Sequence, residues 1–410
     1  MPHRDAVSRE MATREAIRRH GRGLPTLDSS RSTARRTVGE TDGARQRAQP
    51  KDALSILYVA EAFGGGLFEI TRMMAEQLAD HGHRTAIAYG VRPETPEDVR
   101  DRVDPSVELI GLPWTERSIG AQIRALVALK RLCRAWQPDV VHLLSSFAGL
   151  HGAVGFGGAP TVYTPQGYSF TMSSESIRKR WAYLLLEAFV AHRVDVVGAC
   201  SLSEGEQARS LPGATTVAVV PNGISELSMG ARPSAMARTT PTAVGMGRLS
   251  PQRRPEACAR MLAAVADHAA VRWIGGGDGI GQDAMRRAGV PVTGWLPRAA
   301  TLTSLSESTL YLHWTAWDGL PLSILEAMAN DVIVVASDIG PNREVLGPEQ
   351  VCRTEDDAIA LMRAILVNRE LRERLLAEQR QRRRWYGADR MAAEWLELYT
   401  SLTSASQRER

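Results

Sequence analysis

Two carboxylates, Asp318 and Glu326, stand eight residues apart in the run WTAWDGLPLSILEAMA at 314–329. The pattern places Asp318 in a Gly-Leu-Pro turn and Glu326 in the apolar helix that follows, ahead of a predicted strand at 332–336. Open α/β sheets bind their ligands at the carboxyl ends of the strands, where such a strand-to-helix loop lies. The two acids could therefore hold neighbouring hydroxyl groups of one elongated polyol ligand.

Three arginines, Arg248, Arg253 and Arg254, lie at or just beyond the end of the strand predicted at 243–249. Guanidinium groups bind a diphosphate through paired hydrogen bonds. Fixed cations directed at a departing diphosphate would lower the barrier of the reaction without a metal ion. A solvated basic loop is the alternative, and it fits Arg254 better than the other two arginines.

Other catalytic devices lack their residues in this chain. No Asp-x-Asp, His-Glu-x-x-His or Gly-x-Ser-x-Gly motif occurs, and none of the three lysines follows a glycine, which excludes a P-loop. The four cysteines are far apart and lack metal-ligand spacing, so we expect reduced, buried thiols. We therefore predict no metal ion and no cofactor.

A glycine-rich turn stands near the start of the predicted fold. A strand predicted at 54–60 runs into Phe-Gly-Gly-Gly-Leu at 63–67, a helical pattern at 70–79 and a second strand at 85–89. The glycines allow backbone N–H groups to approach a phosphate at a helix start. A plain tight turn needs the same glycines, and Glu69 breaks the Gly-x-Gly-x-x-Gly spacing. The turn alone indicates a phosphate site only weakly.

Strand and helix patterns alternate in two successive sets, separated by a segment rich in Ser, Pro, Met and Gly at 226–241. Such alternation predicts two doubly wound α/β domains that face one cleft. We expect a Rossmann-like domain at 51–225, a linker at 226–241, a second domain at 242–385 and a carboxy-terminal helix at 386–410 that packs back on the first domain. Further strands are predicted at 138–144, 160–169, 195–200, 217–223, 271–274, 292–297 and 308–313, and further helices at 119–136, 177–192, 255–268, 355–367, 369–384 and 388–403.

Charge is unevenly distributed over the 410 residues, whose formal net charge is +4. Residues 1–50 contain eleven Arg against six Asp and Glu and few apolar residues, so we expect a disordered tail there. The remainder is near neutral and gives no indication of a nucleic-acid partner. No run reaches the ~18 apolar residues of a membrane span, and no signal peptide is visible, so we expect a cytoplasmic protein.

One predicted helix has a composition suited to a membrane surface. The pattern at 177–192 begins with Arg178, Lys179 and Arg180 and continues with an apolar body. A basic-apolar helix can rest on a bilayer, which would make any membrane contact peripheral. Ordinary core packing with a solvated basic face is the alternative, and we favour it.

Several motifs together resemble the donor domain of GT4 glycosyltransferases: GRLSPQR at 247–253, the glycine-rich turn at 275–279, GWLP at 294–297 and DGLPLSILEAM at 318–328. The amino-terminal half is similar to bacterial enzymes that build capsular or exopolysaccharide repeats. That similarity rests on AFGGG at 62–66, His142 beside Ser145 and Ser146, and YTPQGYSF at 163–170. The resemblance spans about 54–403 and implies the GT-B fold, in which two Rossmann-like domains face a central cleft.

The resemblance implies a retaining, metal-independent glycosyltransferase with a nucleotide-diphosphate sugar donor and a saccharide or lipid-linked acceptor. Glu326 would bind the donor ribose, and Asp318 the sugar hydroxyl groups near the reacting carbon. Arg248 and Arg253 would neutralise the diphosphate. The other residues implied in donor binding, several of them through backbone amides, are Gly65, Gly66, Gln166, Gly319, Leu320, Pro321, Leu322 and Glu344.

Three positions depart from the family pattern. Asp318 replaces the usual Glu, Arg253 replaces the common Lys, and Gln166 replaces a histidine that contacts the donor sugar in relatives with a Thr-Pro-His-Gly loop. A second hypothesis is therefore a catalytically degenerate GT-B scaffold that binds nucleotide or a partner protein. A third is a GT-B epimerase or phosphorylase, but a phosphorylase needs a pyridoxal-binding lysine and the donor half has none.

Overall fold

The computed structural model describes residues 53–93, 95–116, 118–155, 158–214, 216–225, 241–277 and 279–408. The predicted tail at 1–50 lies outside these residues, and so does the predicted linker at 226–241 apart from residue 241. The described residues belong to one compact unit.

Seven parallel strands form the first sheet, in the order β3-β2-β1-β4-β5-β6-β7. They are Ser55–Ala60 (β1), Arg84–Gly90 (β2), Glu108–Leu112 (β3), Val140–Leu144 (β4), Thr161–Thr164 (β5), Val196–Ala199 (β6) and Val217–Val219 (β7). The helices of this half are Gly65–Asp80 (α1), Val99–Arg102 (α2), Ile119–Trp136 (α3), Ser146–Ala153 (α4), Ile177–Arg193 (α5) and Leu202–Ser210 (α6). The strand order reverses between β1 and β4, so the glycine-rich turn after β1 lies at a topological switch point, where such sheets bind ligands.

Five parallel strands form the second sheet, in the order β12-β11-β10-β8-β9. They are Thr242–Met246 (β8), Ala270–Ile274 (β9), Leu310–His313 (β10), Ile333–Ser337 (β11) and Val351–Cys352 (β12). The helices are Pro255–Ala263 (α7), Gly279–Arg287 (α8), Arg298–Ser306 (α9), Leu322–Ala329 (α10), Gly340–Val345 (α11), Glu355–Val367 (α12), Arg369–Arg383 (α13) and Ala388–Arg408 (α14). The order reverses between β8 and β10, whose following loops contain the candidate arginines and Asp318.

The central strands are continuous apolar runs because helices cover both faces of each sheet. Every residue of β4 and of β10 is buried, as expected for strands inside a parallel sheet. One apolar core joins β1, α1 and α14, and another joins α3, α4 and α5. The two cores hold the strand ends of the first sheet in place beneath the cleft.

The carboxy-terminal helix α14 packs on the first sheet. His142 of β4 lies with Nδ1 2.6 Å from the Tyr399 hydroxyl and Nε2 2.8 Å from Thr164 Oγ1. Burial lowers the pKa of His142 to about 3, so its imidazole is neutral. His142, which contributed to the family resemblance, is therefore a core residue that connects α14 to β4 and β5.

The chain passes between the two halves at two neighbouring places. The Ile224 N–H donates to Tyr386 O (2.7 Å), and the Ala388 N–H donates to Ile224 O (3.1 Å). A Cβ at Gly223 would lie 2.7 Å from Gly387 O, which leaves no room for a side chain there. The two crossings are thus bonded to each other through their main chains.

Two strand predictions differ from the structure. Residues 292–297 form only isolated bridges, among them Gly275 with Gly294, because Gly294 at φ +73° turns the chain. Conversely, Glu108–Leu112 pairs with β2 at the sheet edge although its mixed polarity predicts no strand. In the described ranges, no helix is both long and apolar enough to cross a membrane.

Candidate active site

Asp318 lies at the centre of a charged cluster where β8 and β10 end. Arg253, in a short turn after β8, donates from Nη1 to Asp318 Oδ2 (3.2 Å). His313, the last residue of β10, has Nε2 3.6 Å from the same oxygen. The Gly319 N–H donates to Asp318 Oδ1 (3.1 Å). Two adjacent strands thus bring a cation, an imidazole and a carboxylate together from positions up to 65 residues apart.

The electrostatics of the cluster keep Asp318 ionised. Burial opposes ionisation, but the Arg253 guanidinium, His313 and the Gly319 N–H together outweigh it and lower the pKa of Asp318. Burial and the same guanidinium lower the pKa of His313 to about 4, so the imidazole is neutral at pH 7. The Tyr311 hydroxyl lies 2.8 Å from His313 Nδ1 and donates to Ser323 Oγ (3.0 Å). These contacts hold the ring that faces Asp318.

His313, Tyr311 and Ser323 were not among the predicted site residues. The strand pattern at 308–313 places a histidine at the end of a buried strand next to the acid loop, and that position was the one available signal. The contact of His313 with Arg253 spans 60 residues and depends on the pairing of β8 with β10. Sequence spacing alone does not show this contact.

A cavity of about 330 Å³ lies beside the cluster, between the two halves of the chain. Arg248, Arg253 and Trp317 line it from the second half, and Met172 and Ser174 line it from the loop before α5. The exposed Arg248 guanidinium stands 5.9 Å from the ring centre of Trp295. The structure therefore brings both predicted diphosphate-binding arginines to one cavity.

Glu326 belongs to α10, the helix that follows the loop containing Asp318, and is only 3 % exposed. Its Oε1 forms an ion pair with Arg298 Nη2. Burial raises the pKa of Glu326 in spite of this cation. Arg298, which no sequence argument identified, also has Nε 3.7 Å from Glu69 Oε1 in α1.

The opposite wall contains the glycine-rich turn. Gly65 and Gly66 are exposed first residues of α1, and a Cβ added to either would meet no atom within 4 Å. The first N–H groups of a helix have no partner within the helix and lie at the positive end of its dipole. These two residues therefore present backbone donors to open space.

Two loops from the two halves approach each other closely at Gly167 and Gly319. A Cβ at Gly319 would lie 2.9 Å from Gly167 N and 3.0 Å from Cys200 Sγ. Gln166, with φ +56°, exchanges amide hydrogen bonds with Asn222: Gln166 Nε2 donates to Asn222 Oδ1 (3.2 Å), and Asn222 Nδ2 donates to Gln166 Oε1 (2.9 Å). The side chain predicted to contact the donor sugar is thus engaged with Asn222 in this structure.

The turn at 319–322 offers fewer donors than predicted. The Gly319 N–H is used on Asp318, and Pro321 has no amide hydrogen, so the prediction of a donor there was wrong. Leu320 O accepts from Asn222 Nδ2 (3.4 Å). Leu322 packs against the apolar cores of both halves.

Glu344 connects the halves at a further point. Its carboxylate accepts from the N–H groups of Leu202 (2.7 Å) and Ser203 (2.5 Å) at the start of α6. Burial, together with nearby Glu206 and Glu204, raises the pKa of Glu344 to about 7 in spite of these hydrogen bonds. In this structure Glu344 therefore caps a helix of the other half.

Two observations concern metal and thiol groups in the described part of the chain. There, no group of three or more His, Cys, Asp or Glu side chains is placed to hold a metal ion. The four cysteines are all buried with free thiols. The polar side chains that line the cavity are two arginines, two serines and a glutamine: Arg248, Arg253, Ser174, Ser250 and Gln252.

Comparison with known proteins identifies the fold and then the family. A sequence comparison with curated proteins finds no match. Sucrose-phosphate synthase from Thermosynechococcus elongatus superposes with a TM-score of 0.74 at 18 % identity, covering 86 % of this chain and 100 % of that one. Anabaena HepE gives 0.67 in complex with UDP and 0.69 in complex with UDP-glucose, at 16 % and 15 % identity, each covering 85 % of this chain and 100 % of that one.

These likenesses show the GT-B fold, the two-domain architecture of many glycosyltransferases. Two family models cover most of the described chain: "Glycosyl transferase 4-like domain" matches residues 65–223, and "Glycosyl transferases group 1" matches residues 240–367. The chain belongs to the GT4-type glycosyltransferases, as the resemblance predicted, and its activity is glycosyl transfer from a nucleotide sugar.

Proposed function

We propose that this enzyme transfers a sugar with retention of anomeric configuration, without a metal ion, to a lipid-linked saccharide in cell-surface polysaccharide biosynthesis. The observation that supports it best is the Arg253–Asp318–His313 cluster beside a cavity shared by both halves. Fixed cations at that cavity can stabilise the charge of a departing diphosphate, which is the work that a metal ion does in other transferases. Because HepE of similar fold binds UDP and UDP-glucose, these are the first ligands to test.

Each site residue has a role in this proposal. The ionised Asp318 accepts from hydroxyl groups of the donor sugar near the reacting carbon, and Glu326 accepts from the ribose. Arg248 and Arg253 bind the diphosphate, together with the open N–H groups of Gly65 and Gly66. Neutral His313 fixes the Asp318 side chain and adds no charge that would weaken its hold on a hydroxyl group.

The acceptor assignment rests on an apolar stripe along α5, which we name the α5 stripe. Its members repeat every fourth residue and are well exposed: Ile177 (66 %), Trp181 (59 %), Leu185 (68 %) and Phe189 (48 %). The helix begins next to Met172 and Ser174, which line the cavity. Core packing, the interpretation we favoured from sequence, does not account for these four exposed side chains.

A second exposed apolar row on α3 faces the same side of the sheet. Ile119, Ile123 and Val127 repeat at the same spacing, and α3 and α5 pack on one face of the first sheet. With Arg178 and Lys179 exposed at the start of α5, this face combines apolar and basic groups, the chemistry that binds an anionic bilayer surface. A lipid-linked acceptor held there would present its head group toward the cavity, and the enzyme would work at the inner face of the cell membrane.

Ligand-observed NMR against UDP, GDP and ADP, followed by a donor-hydrolysis assay with the sugar of the bound nucleotide, tests the donor part. We expect binding of one nucleotide, slow hydrolysis with retained configuration in the released sugar, and the same rate in EDTA. Nucleotide binding without turnover for any donor and acceptor would favour the scaffold hypothesis instead. No nucleotide binding at all would exclude both.

Vesicle flotation tests the membrane part. Wild-type protein should float with vesicles that contain about 30 % anionic lipid and stay in solution with neutral vesicles, because basic residues contribute about 1 kcal/mol each near an anionic surface. Trp181→Ser with Leu185→Ser should abolish flotation without changing nucleotide binding. Trp385→Ser is the matched control, since Trp385 is 55 % exposed outside the α5 stripe. Equal flotation of all three proteins would contradict the assignment.

A further inference from the structure

We propose that Arg298 is a positioning residue, which orients the Glu326 carboxylate for the donor ribose and ties it across the cleft to Glu69. The ribose part of this inference rests on the proposed function. The ion-pair part does not, because it concerns groups that contact each other in the protein itself.

The geometry places one guanidinium between two acids from opposite halves. Arg298 Nη2 contacts Glu326 Oε1, and Arg298 Nε lies 3.7 Å from Glu69 Oε1. The planar guanidinium presents separate N–H groups in fixed directions, so one side chain can serve both acids at once. Arg298 is the first residue of α9, and Glu326 belongs to α10, so two helices of the second half meet α1 of the first half at this point.

Glu69 is a fixed anchor. Its Oε2 accepts from Arg72 (3.1 Å), and its Oε1 accepts from Arg102 (2.5 Å), whose guanidinium stands 4.4 Å from the ring centre of Phe68. Glu69 also lies in the same helix that begins with the open N–H groups of Gly65 and Gly66. The link through Arg298 therefore sets the distance between the ribose acid and the candidate phosphate donors of the opposite wall.

Glu326 depends on this one cation. Burial raises the pKa of Glu326, Arg298 opposes that rise, and Glu69 adds to it. The Tyr311 hydroxyl from β10 is also near enough to feel its charge, whereas Arg383 from α13 donates to Ala329 O (3.0 Å) at the end of α10. A buried acid that loses its paired cation takes up a proton more readily, and the neutral acid is a weaker acceptor for a ribose diol.

The pH dependence of UDP affinity separates positioning from mere structure. In Arg298→Gln, the rise in the Kd for UDP from pH 8 to pH 6 should exceed that of wild type by about threefold or more, because loss of the cation raises the pKa of the buried Glu326 further. Arg298→Lys should follow wild type within about threefold. Glu69→Gln should keep the wild-type pH profile, since Arg298 still pairs with Glu326, but it should raise the Kd for UDP about threefold or more at every pH because the link across the cleft is lost. An identical pH profile for Arg298→Gln and wild type would overturn the inference.

A ligand-free measurement distinguishes this inference from the proposed function. A double-mutant cycle of Arg298→Gln and Glu326→Gln, read by urea unfolding at pH 7, should show strong coupling, with the double variant more stable than Arg298→Gln alone. The exposed pair Arg260–Glu355 is the matched control, where we expect weak coupling. Additive effects at Arg298 and Glu326 would overturn the ion-pair role. Strong coupling with no binding of UDP, GDP or ADP by wild type would instead refute the donor assignment.

Discussion

The two halves of the molecule share one architecture but contribute different chemistry to the cleft. The second half supplies charged side chains at adjacent strand ends, Arg253, His313 and Asp318. The first half supplies open backbone N–H groups at Gly65 and Gly66 and a neutral amide at Gln166. Both kinds of donor can stabilise the charge of a departing diphosphate. The carboxylate proposed to hold the sugar near the reacting carbon, Asp318, belongs to the second half alone, so we expect bond breaking to occur against that half.

Arg253→Gln tests this asymmetry with the largest expected effect. We expect kcat/KM to fall about 10³-fold, because Arg253 both contacts Asp318 and lines the cavity. Arg254→Gln is the matched control, because Arg254 is exposed in the same loop. The kcat/KM of this variant should stay within about threefold of wild type. Equal losses in both variants would mean that the loop contributes only general positive charge.

Substitutions of the two acids of the second half should affect different quantities, kcat for Asp318 and nucleotide affinity for Glu326. Asp318→Asn should lower kcat about 10²-fold with little change in nucleotide affinity, since the cavity arginines remain. Glu326→Ala should abolish nucleotide binding, because it removes the ribose acceptor and leaves Arg298 without its acid. Steady-state kinetics and calorimetry with UDP measure the two effects. If both variants kept wild-type kinetics, the site assignment would be wrong.

Adding a single methyl group at Gly319 should disturb the contact between the halves. Gly319→Ala would place a Cβ 2.9 Å from Gly167 N, and we expect a loss of about 1–3 kcal/mol in the free energy of unfolding from this overpacking. Gly66→Ala should leave the free energy of unfolding nearly unchanged, because no atom lies within 4 Å of its Cβ. Urea unfolding of both variants measures the two free energies of unfolding. Similar values would show that the loop at Gly319 moves to accommodate the methyl group at little cost.

Glu344→Gln should give the smallest effect, a change in the pH dependence of Tm whose direction follows from the raised pKa of Glu344. Its pKa is raised from 4.5 to about 7, so the folded state holds a proton that the unfolded state has already released. Between about pH 5 and pH 7, this difference in proton binding lowers the stability of wild type as pH rises. Glu344→Gln has no carboxyl group at this position and lacks that contribution. The difference in Tm, wild type minus variant, should therefore fall over this window in a thermal-shift series. A difference that rises with pH would contradict the burial argument.

Local patterns predicted the elements well, and long-range contacts explain the rest. The helix predicted at 119–136 is Ile119–Trp136, because its apolar spacing and the Ser118 cap are local signals. The pairs Arg298–Glu326 and Gln166–Asn222 join residues 28 and 56 positions apart through the packing of whole elements. The spacing of residues in the sequence does not predict such pairs. The acids and arginines could be predicted because a short motif contains each of them.

The bonded crossings at Ile224 and Gly387 constrain how the halves can move. Two segments of chain that are hydrogen-bonded at one place act as a single pivot, so any relative rotation of the sheets must turn about that point. Contacts far from the pivot then separate most for a given angle. We therefore expect loading and release of the donor to involve rotation about residues 223–224 and 386–388, which would separate contacts between the halves such as Arg298 with Glu69.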